Sequence, residues 1–432
     1  MTAAGPDHGS DGDRVGAQAD EVDVVVVGGG PAGMAAAHTL GRAGHRVTVV
    51  ERQRHPRMKT CGDALSPRAV AELAGLGIGR HDLDAFHRID TVRLVAGHRS
   101  LDCPWPAHPD LPAHGYVARR DVLDALLAER LAVPGVELLE GYEATTPLLE
   151  RGFVRGAGVS GPGDHDAEVR GRYLLVADGA NSRFGRALGT YRRRSWPYAT
   201  AIRSYWATPR HSEPLIECAL DLTGRDGSAL TGYGWVFPLG DGTANIGVGV
   251  LSTSHEFRSV NTSELLQRFV NDLAERWELD PEAPLVPPVS GRIPVGGSVG
   301  PSAGPSHLVV GDAGGFANPL TGAGIEYALA TGRLAGEILS DALTSHDPTA
   351  LQRYPTELAA AFGSPFKIGR VLGRVAGRPT VMRQTARLLT RRRRIGEGAL
   401  RIGLDALRTD DAGGAETLAR LARTASRFAP DT

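Results

Sequence analysis

The chain has 432 residues, enough for two or three domains around a large buried core. With 41% hydrophobic and 22% charged residues it reads as a folded globular protein, and a formal net charge of -1 excludes a chain-wide basic field for nucleic acid. Cys61, Cys103 and Cys218 are widely separated and lack CxxC or Cys/His spacing, which excludes a metal-ligand framework and points to free thiols in a reducing compartment.

Residues 1–22 are rich in Gly, Asp and Ala and have neither a basic start nor an apolar core, so a disordered tail is expected there and not a secretion signal. Nowhere do 18 apolar residues run consecutively, which predicts a cytoplasmic protein able at most to lie on a membrane. Order is expected from DVVVVGGGPAGMAAAHTLGRAGHRVTVVER, residues 23–52. A valine strand, the GxGxxG of Gly28, Gly30 and Gly33, an alanine-rich helix and a second strand ending in Glu51 make a complete βαβ unit. Gly28 permits the tight turn, Gly30 lets the backbone approach a pyrophosphate, and Gly33 lets helix and strand pack closely. Free N–H groups at the helix start attract the phosphates, and Glu51 is placed to accept hydrogen bonds from a ribose.

Next comes KTCGD, residues 59–63, which puts one of only two lysines beside one of three thiols. A second glycine pattern, GAGVSG at Gly156, Gly158 and Gly161, is followed at once by Pro162 and polar residues, so a loop between strands is expected there and no second nucleotide site. RYLLVADG (172–179) and HLVVGDAGG (307–315) are strands running into Asp178 and Asp312, the latter followed by a long helix. Between them Tyr233, Trp235 and Phe237 alternate along GYGWVFP and project from one face of a strand, an aromatic wall suited to an apolar, unsaturated chain. From residue 365, Ile368, Val371, Leu372 and Val375 form a helical apolar stripe. Residues 365–408 carry 12 basic side chains against Glu397 and Asp405, a basic amphipathic segment able to rest on anionic lipid.

GxGxxG with its Glu51, then ADG, then GDA, in this order and spacing, resembles the FAD-binding fold of the p-hydroxybenzoate hydroxylase type. That resemblance implies an α/β protein with a discontinuous Rossmann-like FAD-binding domain (23–190 and 287–345, with 82–115 reaching across), an antiparallel-sheet substrate domain (191–286) and a helical C-terminal region (346–432). It also implies FAD contacts from Ala32, Ala144, Asp312, Gly324 and Ile325, and from Arg120, which fits the R-x-x-L-D pattern of that fold. Flavin folds host hydroxylases, halogenases and reductases, so the reaction must be read from other residues.

KxCG shortly after the second strand, together with the YxWxFP of Tyr233 to Pro238, resembles the geranylgeranyl reductase family. KTCGDALSPRAVAEL, LDCPWP, SEPLIECALDL and NIGVG are similar to segments of the actinobacterial menaquinone reductases of that family. The resemblance implies an FAD-dependent reductase that saturates a double bond in a prenylated lipid, most closely the isoprenoid side chain of menaquinone. Other prenyl lipids, and a monooxygenase or halogenase of a secondary metabolite, are the alternatives. It places Lys59, Cys61 and Gly62 against the flavin and makes Cys61, Tyr233 and Trp235 the catalytic candidates.

An isolated alkene is a poor electrophile, so hydride delivery has to be accompanied by a proton. Cys61 is a candidate donor, with Tyr233 or a water as alternatives. Lys59 could tune the thiol, although a nearby cation favours thiolate over the neutral acid. No second nucleotide site identifies the electron donor.

Overall fold

The computed structural model describes residues 21–163 and 166–407; residues 1–20 of the tail expected at 1–22 and the end of the chain from 408 lie outside them, while Val22 already opens the first strand. Its first layer is a parallel sheet ordered Val136–Glu140, β2 (Val47–Glu51), β1 (Val22–Val27), Asp166–Val176 and His307–Val309. Val24, Val25 and Val26 of β1 are fully buried, as a strand covered on both faces requires. The long strand Asp166–Val176 also pairs, through its first half, with the antiparallel strand Phe153–Ser160, which in turn pairs with Glu143–Glu150. GAGVSG therefore lies mostly inside a strand, entering the turn only at Gly161, and no helix follows it.

The parallel register aligns Val27 with Val50 and Val176, and Val176 with Val309. Gly28, Glu51, Asp178 and Asp312 are thereby brought to one sheet edge, the carboxyl ends of the strands, where open α/β sheets bind ligands. Two helices cover the sheet, α1 (Pro31–Arg42) and the long helix Ile325–Ser345. They cross closely, because a side chain at Gly332 would overlap the Ala32 carbonyl.

The second layer is a sheet ordered Val289–Pro294, Tyr198–Ala207, Thr243–Leu251, Gly232–Pro238, Leu215–Ala219, Thr91–Ala96 and Arg99–Pro104. All its pairings are antiparallel except that of Leu215–Ala219 with Thr91–Ala96. Val289–Pro294 belongs to this sheet through six residues of pairing with Tyr198–Ala207, so the polypeptide returns to the nucleotide layer after 294 and not at 287. The Pro- and Gly-rich sequence around that strand carries no alternation to mark it.

Period-two alternation sorts this sheet into two faces. Ile202, Val236, Ile246, Val248 and Val250 pack with the helix Thr262–Trp277, while Tyr205, Trp235, Phe237, Ile216, Leu94 and Cys103 form a separate apolar cluster on the opposite face. Leu400 and Leu404, at the end of the C-terminal helices, close over that second face. Those helices span Ser364–Ala376, Pro379–Arg391 and Arg393–Gly403.

Candidate functional site

The site begins at the turn after β1. Gly28 has φ +108°, and a Cβ there would overlap the Ala177 carbonyl, so the strand can turn beside its neighbour only as glycine. A side chain at Gly33 would likewise overlap the Gly28 carbonyl, which fixes how closely α1 follows the turn. Gly30 is the N-cap of α1, with Pro31 and Ala32 in its first turn, where helix N–H groups have no intrahelical acceptor. Glu51, buried at the end of β2, accepts from the Gly29 N–H at 2.8 Å and the Gln53 N–H at 3.0 Å, which orients the carboxylate toward the turn. Ala144 lies beyond Tyr142, whose N–H donates to the Glu51 carbonyl at 3.1 Å, and it packs beneath the same sheet edge.

Opposite Gly30 stands Arg57, a residue the sequence reading did not single out. Its Nη2 donates to the Gly29 carbonyl at 3.2 Å and pairs with Asp124 at 3.1 Å. Asp124 in turn takes both arms of Arg120 at 2.9 Å, and the Arg120 guanidinium puts its charge beside the Cys61 thiol. A buried chain of alternating charge therefore links the glycine turn to the thiol. The second half of the R-x-x-L-D pattern, Asp124, is its hinge.

Lys59 runs the other way. Its Nζ lies 3.3 Å from where a side chain at Gly179 would begin, within the field of Asp312; burial lowers its affinity for a proton and Asp312 raises it. Gly324, the N-cap of the long helix, faces Asp312 Oδ1, and Ile325 opens that helix. The cation beside Cys61 is thus Arg120 and not Lys59. Burial pushes the thiol above its usual range, outweighing Arg120, so Cys61 is held as a neutral thiol.

Gly62 brings the loop to the aromatic strand: a Cβ there would stand 3.2 Å from the Phe237 ring and 3.5 Å from Trp235 Nε1. Successive ring centroids of Tyr233, Trp235 and Phe237 are 6.0 Å apart, so the three form one wall. A side chain at Gly247 would overlap the Trp235 ring, which explains the glycine opposite it. Tyr233 donates to the Thr321 carbonyl at 2.5 Å, and burial raises the phenol further, so its proton is held firmly.

Three side chains from the substrate sheet fasten the loop. Arg203 donates to the Cys61 carbonyl at 3.0 Å and to the Lys59 carbonyl at 2.9 Å, and Asn245 donates to the Cys61 carbonyl at 2.9 Å. Asn245 Oδ1 accepts from Trp235 Nε1 at 3.0 Å, and Tyr205 donates to Asp63 at 2.6 Å. Polar residues inside an otherwise apolar strand, AIRSYW and TANIGVG, were the available signal for Arg203, Tyr205 and Asn245.

This edge fits a flavin nucleotide on its own features. Two helix N-termini and three cations converge on it, the glycine turn leaves room for backbone approach, and Asp178 Oδ1 is buried without a partner among the described residues.

Comparison with known proteins agrees with the geometry. A model described as an FAD binding domain matches residues 21–234, and one described as a geranylgeranyl reductase catalytic domain matches residues 224–280. Menaquinone reductase of Mycolicibacterium smegmatis is 38% identical over 93% of this chain and 95% of its own length. Digeranylgeranylglycerophospholipid reductase 1 of Methanopyrus kandleri is 33% identical over 81% of this chain and 89% of its own. Among solved structures, a geranylgeranyl bacteriochlorophyll reductase-like protein from Thermoplasma acidophilum superposes with a TM-score of 0.76 at 22% identity, covering 93% of this chain and 99% of that one. A flavin-dependent brominase shares the fold with a TM-score of 0.71 at 17% identity, covering 95% of this chain and 100% of its own. With an FAD-binding edge, a loop carrying Cys61 and an aromatic wall facing it, the chain belongs to the geranylgeranyl reductase family of FAD-binding oxidoreductases.

Proposed function

We propose that the protein saturates a carbon–carbon double bond in a polyprenyl chain, and that the chain is the isoprenoid side chain of menaquinone. The observation that carries this reading is the junction of Gly62 with Trp235 and Phe237, which sets a neutral thiol beside an apolar aromatic wall at the nucleotide edge. Bound FAD, once reduced, supplies the hydride. Gly28, Gly30, Ala32, Gly33, Glu51, Ala144, Asp312, Gly324 and Ile325 hold the nucleotide, and Lys59 and Arg120 place their charge against it.

Trp235 and Phe237 orient the alkene and exclude water from it. Cys61 Sγ donates the proton to the less substituted alkene carbon, and Arg120 stabilises the thiolate left behind. Tyr233 is the weaker donor, since its proton is committed to the Thr321 carbonyl. Its role is to position Trp235 and close the wall.

The apolar cluster that includes the wall continues through Ile216, Leu94 and Cys103 to Leu400 and Leu404, which joins it to the C-terminal helices. There the stripe expected from the sequence divides: Ile368 is buried, whereas Leu372 and Val375 are exposed, together with Leu388 and Ile395. Arg370 and Arg374 are tied to the Gly296 and Ser195 carbonyls, while Arg391, Arg392 and Arg394 are exposed. Exposed apolar side chains among arginines support contact with an anionic bilayer, from which the prenyl chain enters. Among the described residues no helix is long and apolar enough to cross a membrane.

The test is anaerobic incubation of the reduced, FAD-loaded protein with menaquinone or with a geranylgeranylated phospholipid. Saturation adds about 2 Da per double bond, and a parallel aerobic incubation would report hydroxylation as a gain of about 16 Da. Preferential gain of about 2 Da in the menaquinone side chain supports the reading, and faster reduction of the phospholipid reassigns the substrate.

A further inference from the structure

Asp63 follows the loop glycine in the left-handed region, φ +68°, which a non-glycine residue rarely adopts without a compensating contact. Its carboxyl group is completely buried. Oδ2 accepts from the Tyr205 hydroxyl at 2.6 Å and from Asn245 Nδ2 at 2.7 Å, and the Asp63 N–H donates to Cys61 Sγ at 3.4 Å. Oδ1 has no partner among the described residues, and nor does the nearby Arg203 Nη1.

Fastening the loop explains Oδ2 but not Oδ1. The amide oxygen of an asparagine would accept the same two hydrogen bonds without burying a charge, whereas a buried carboxylate oxygen with no donor is costly unless it carries a proton. The groups facing Asp63 are Arg203 and Tyr205 from one strand, Asn245 from the next, Arg120 from its helix and Cys61 from its own loop. Burial prevails over the two guanidinium groups and lifts the carboxyl to about 6. The Cys61 thiol lies above its ordinary value of 9.0, so proton transfer from Asp63 to a Cys61 thiolate runs downhill.

We propose that Asp63 is the positioning acid that restores the Cys61 proton after each reduction, an inference that rests on Cys61 being the donor. One alkene takes a hydride from the reduced flavin on one carbon and the Cys61 proton on the other, leaving a thiolate against Arg120. The Asp63 carboxyl proton then passes to the sulfur. The resulting carboxylate is held by Tyr205 and Asn245 within the field of Arg203, and it recovers its proton from solvent. The sum is one alkene, one hydride and one solvent proton giving one alkane.

The experiment is rapid-quench turnover of the pre-reduced, FAD-loaded protein with menaquinone and repeated external reduction. In Asp63→Asn one product per enzyme is expected to form at the wild-type rate, followed by turnover slowed at least about tenfold, because only reloading is lost. Loss of that first product, or continuous turnover within about twofold of wild type, overturns the proposal. Cys61→Ala is run beside it: if that variant keeps its first turnover, the donor assignment itself fails, whatever Asp63→Asn does.

An independent readout uses the FAD-free protein, in which alkylation of Cys61 by iodoacetamide is followed by peptide mass across pH. Asp63→Asn removes a neighbouring negative charge, so the midpoint is expected to fall by roughly one pH unit, and an unmoved midpoint contradicts proton sharing. Should Asp63→Asn fold poorly, Tyr205→Phe serves instead. It removes one donor to the carboxylate and is expected to move the high-pH decline of steady-state turnover upward by about one unit; no movement overturns the idea.

Discussion

The two ends of the site are built on different principles. At the Glu51 end the carboxylate receives N–H groups from Gly29 and Gln53 at the ends of adjacent strands, with Arg57 the one distant charge among the described residues, 3.9 Å away. At the Cys61 end a five-residue loop is fastened by Arg203, Tyr205 and Asn245 from two distant strands, all buried, with the charge of Arg120 beside the thiol. The first end offers a nucleotide a backbone geometry that many folds share. The second sets proton affinities, and it does so through burial and long-range charge. Nucleotide binding and proton chemistry should therefore be separable by mutation.

Cys61→Ala is the sharpest way to break the comparison. Alkene reduction is expected to fall by about 10²–10⁴-fold, the usual worth of a general acid, while bound FAD absorbance is unchanged. A variant that keeps both removes the thiol from the reaction. The converse variant, Glu51→Ala, is expected to weaken FAD binding by about 10–100-fold, the loss of a charged hydrogen-bond acceptor, while Cys61 alkylation is unaffected. Loss of thiol behaviour in Glu51→Ala would mean that the two ends are coupled.

Asp63 sharpens the contrast through pH. Its folded-state pKa of about 6 exceeds its ordinary 3.8, so its contribution to stability is fully present below the ordinary value and is lost as pH rises through 6. The whole effect is about 3 kcal/mol, of which about 2 kcal/mol falls between roughly pH 4.5 and 7.5. Urea unfolding of wild type and Asp63→Asn at those two pH values should differ by that amount, and an equal pH dependence would show that the carboxyl group titrates normally. The smallest effect is expected far from both ends: Leu372→Asp with Val375→Asp should lower affinity for anionic vesicles by about tenfold and leave FAD binding intact.

This division also accounts for what could be read in advance. The βαβ unit, Asp178 and Asp312 were legible because each is a contiguous strand, turn and helix whose residue types serve backbone geometry. The alternation of Tyr233, Trp235 and Phe237 predicted a shared face because strand periodicity is a local property. Arg57 and Asp124 were not assigned, since a buried ion chain depends on which distant elements meet. For the same reason Lys59 was expected to act on Cys61, and only the packing shows Arg120 in that place. The strand Val289–Pro294 was missed because six residues interrupted by glycine and flanked by proline show neither period.

The prenyl chain is expected to lie where the KTCGD loop meets the aromatic strand. Photolabelling the FAD-loaded protein with a menaquinone that carries a diazirine in its side chain tests this most directly. Adducts are predicted on peptides containing residues 59–63, 232–238 and 400–404. Adducts confined to the open arginine-lined cleft of Arg192, Arg194 and Arg258, with a volume of about 660 Å³, would contradict it.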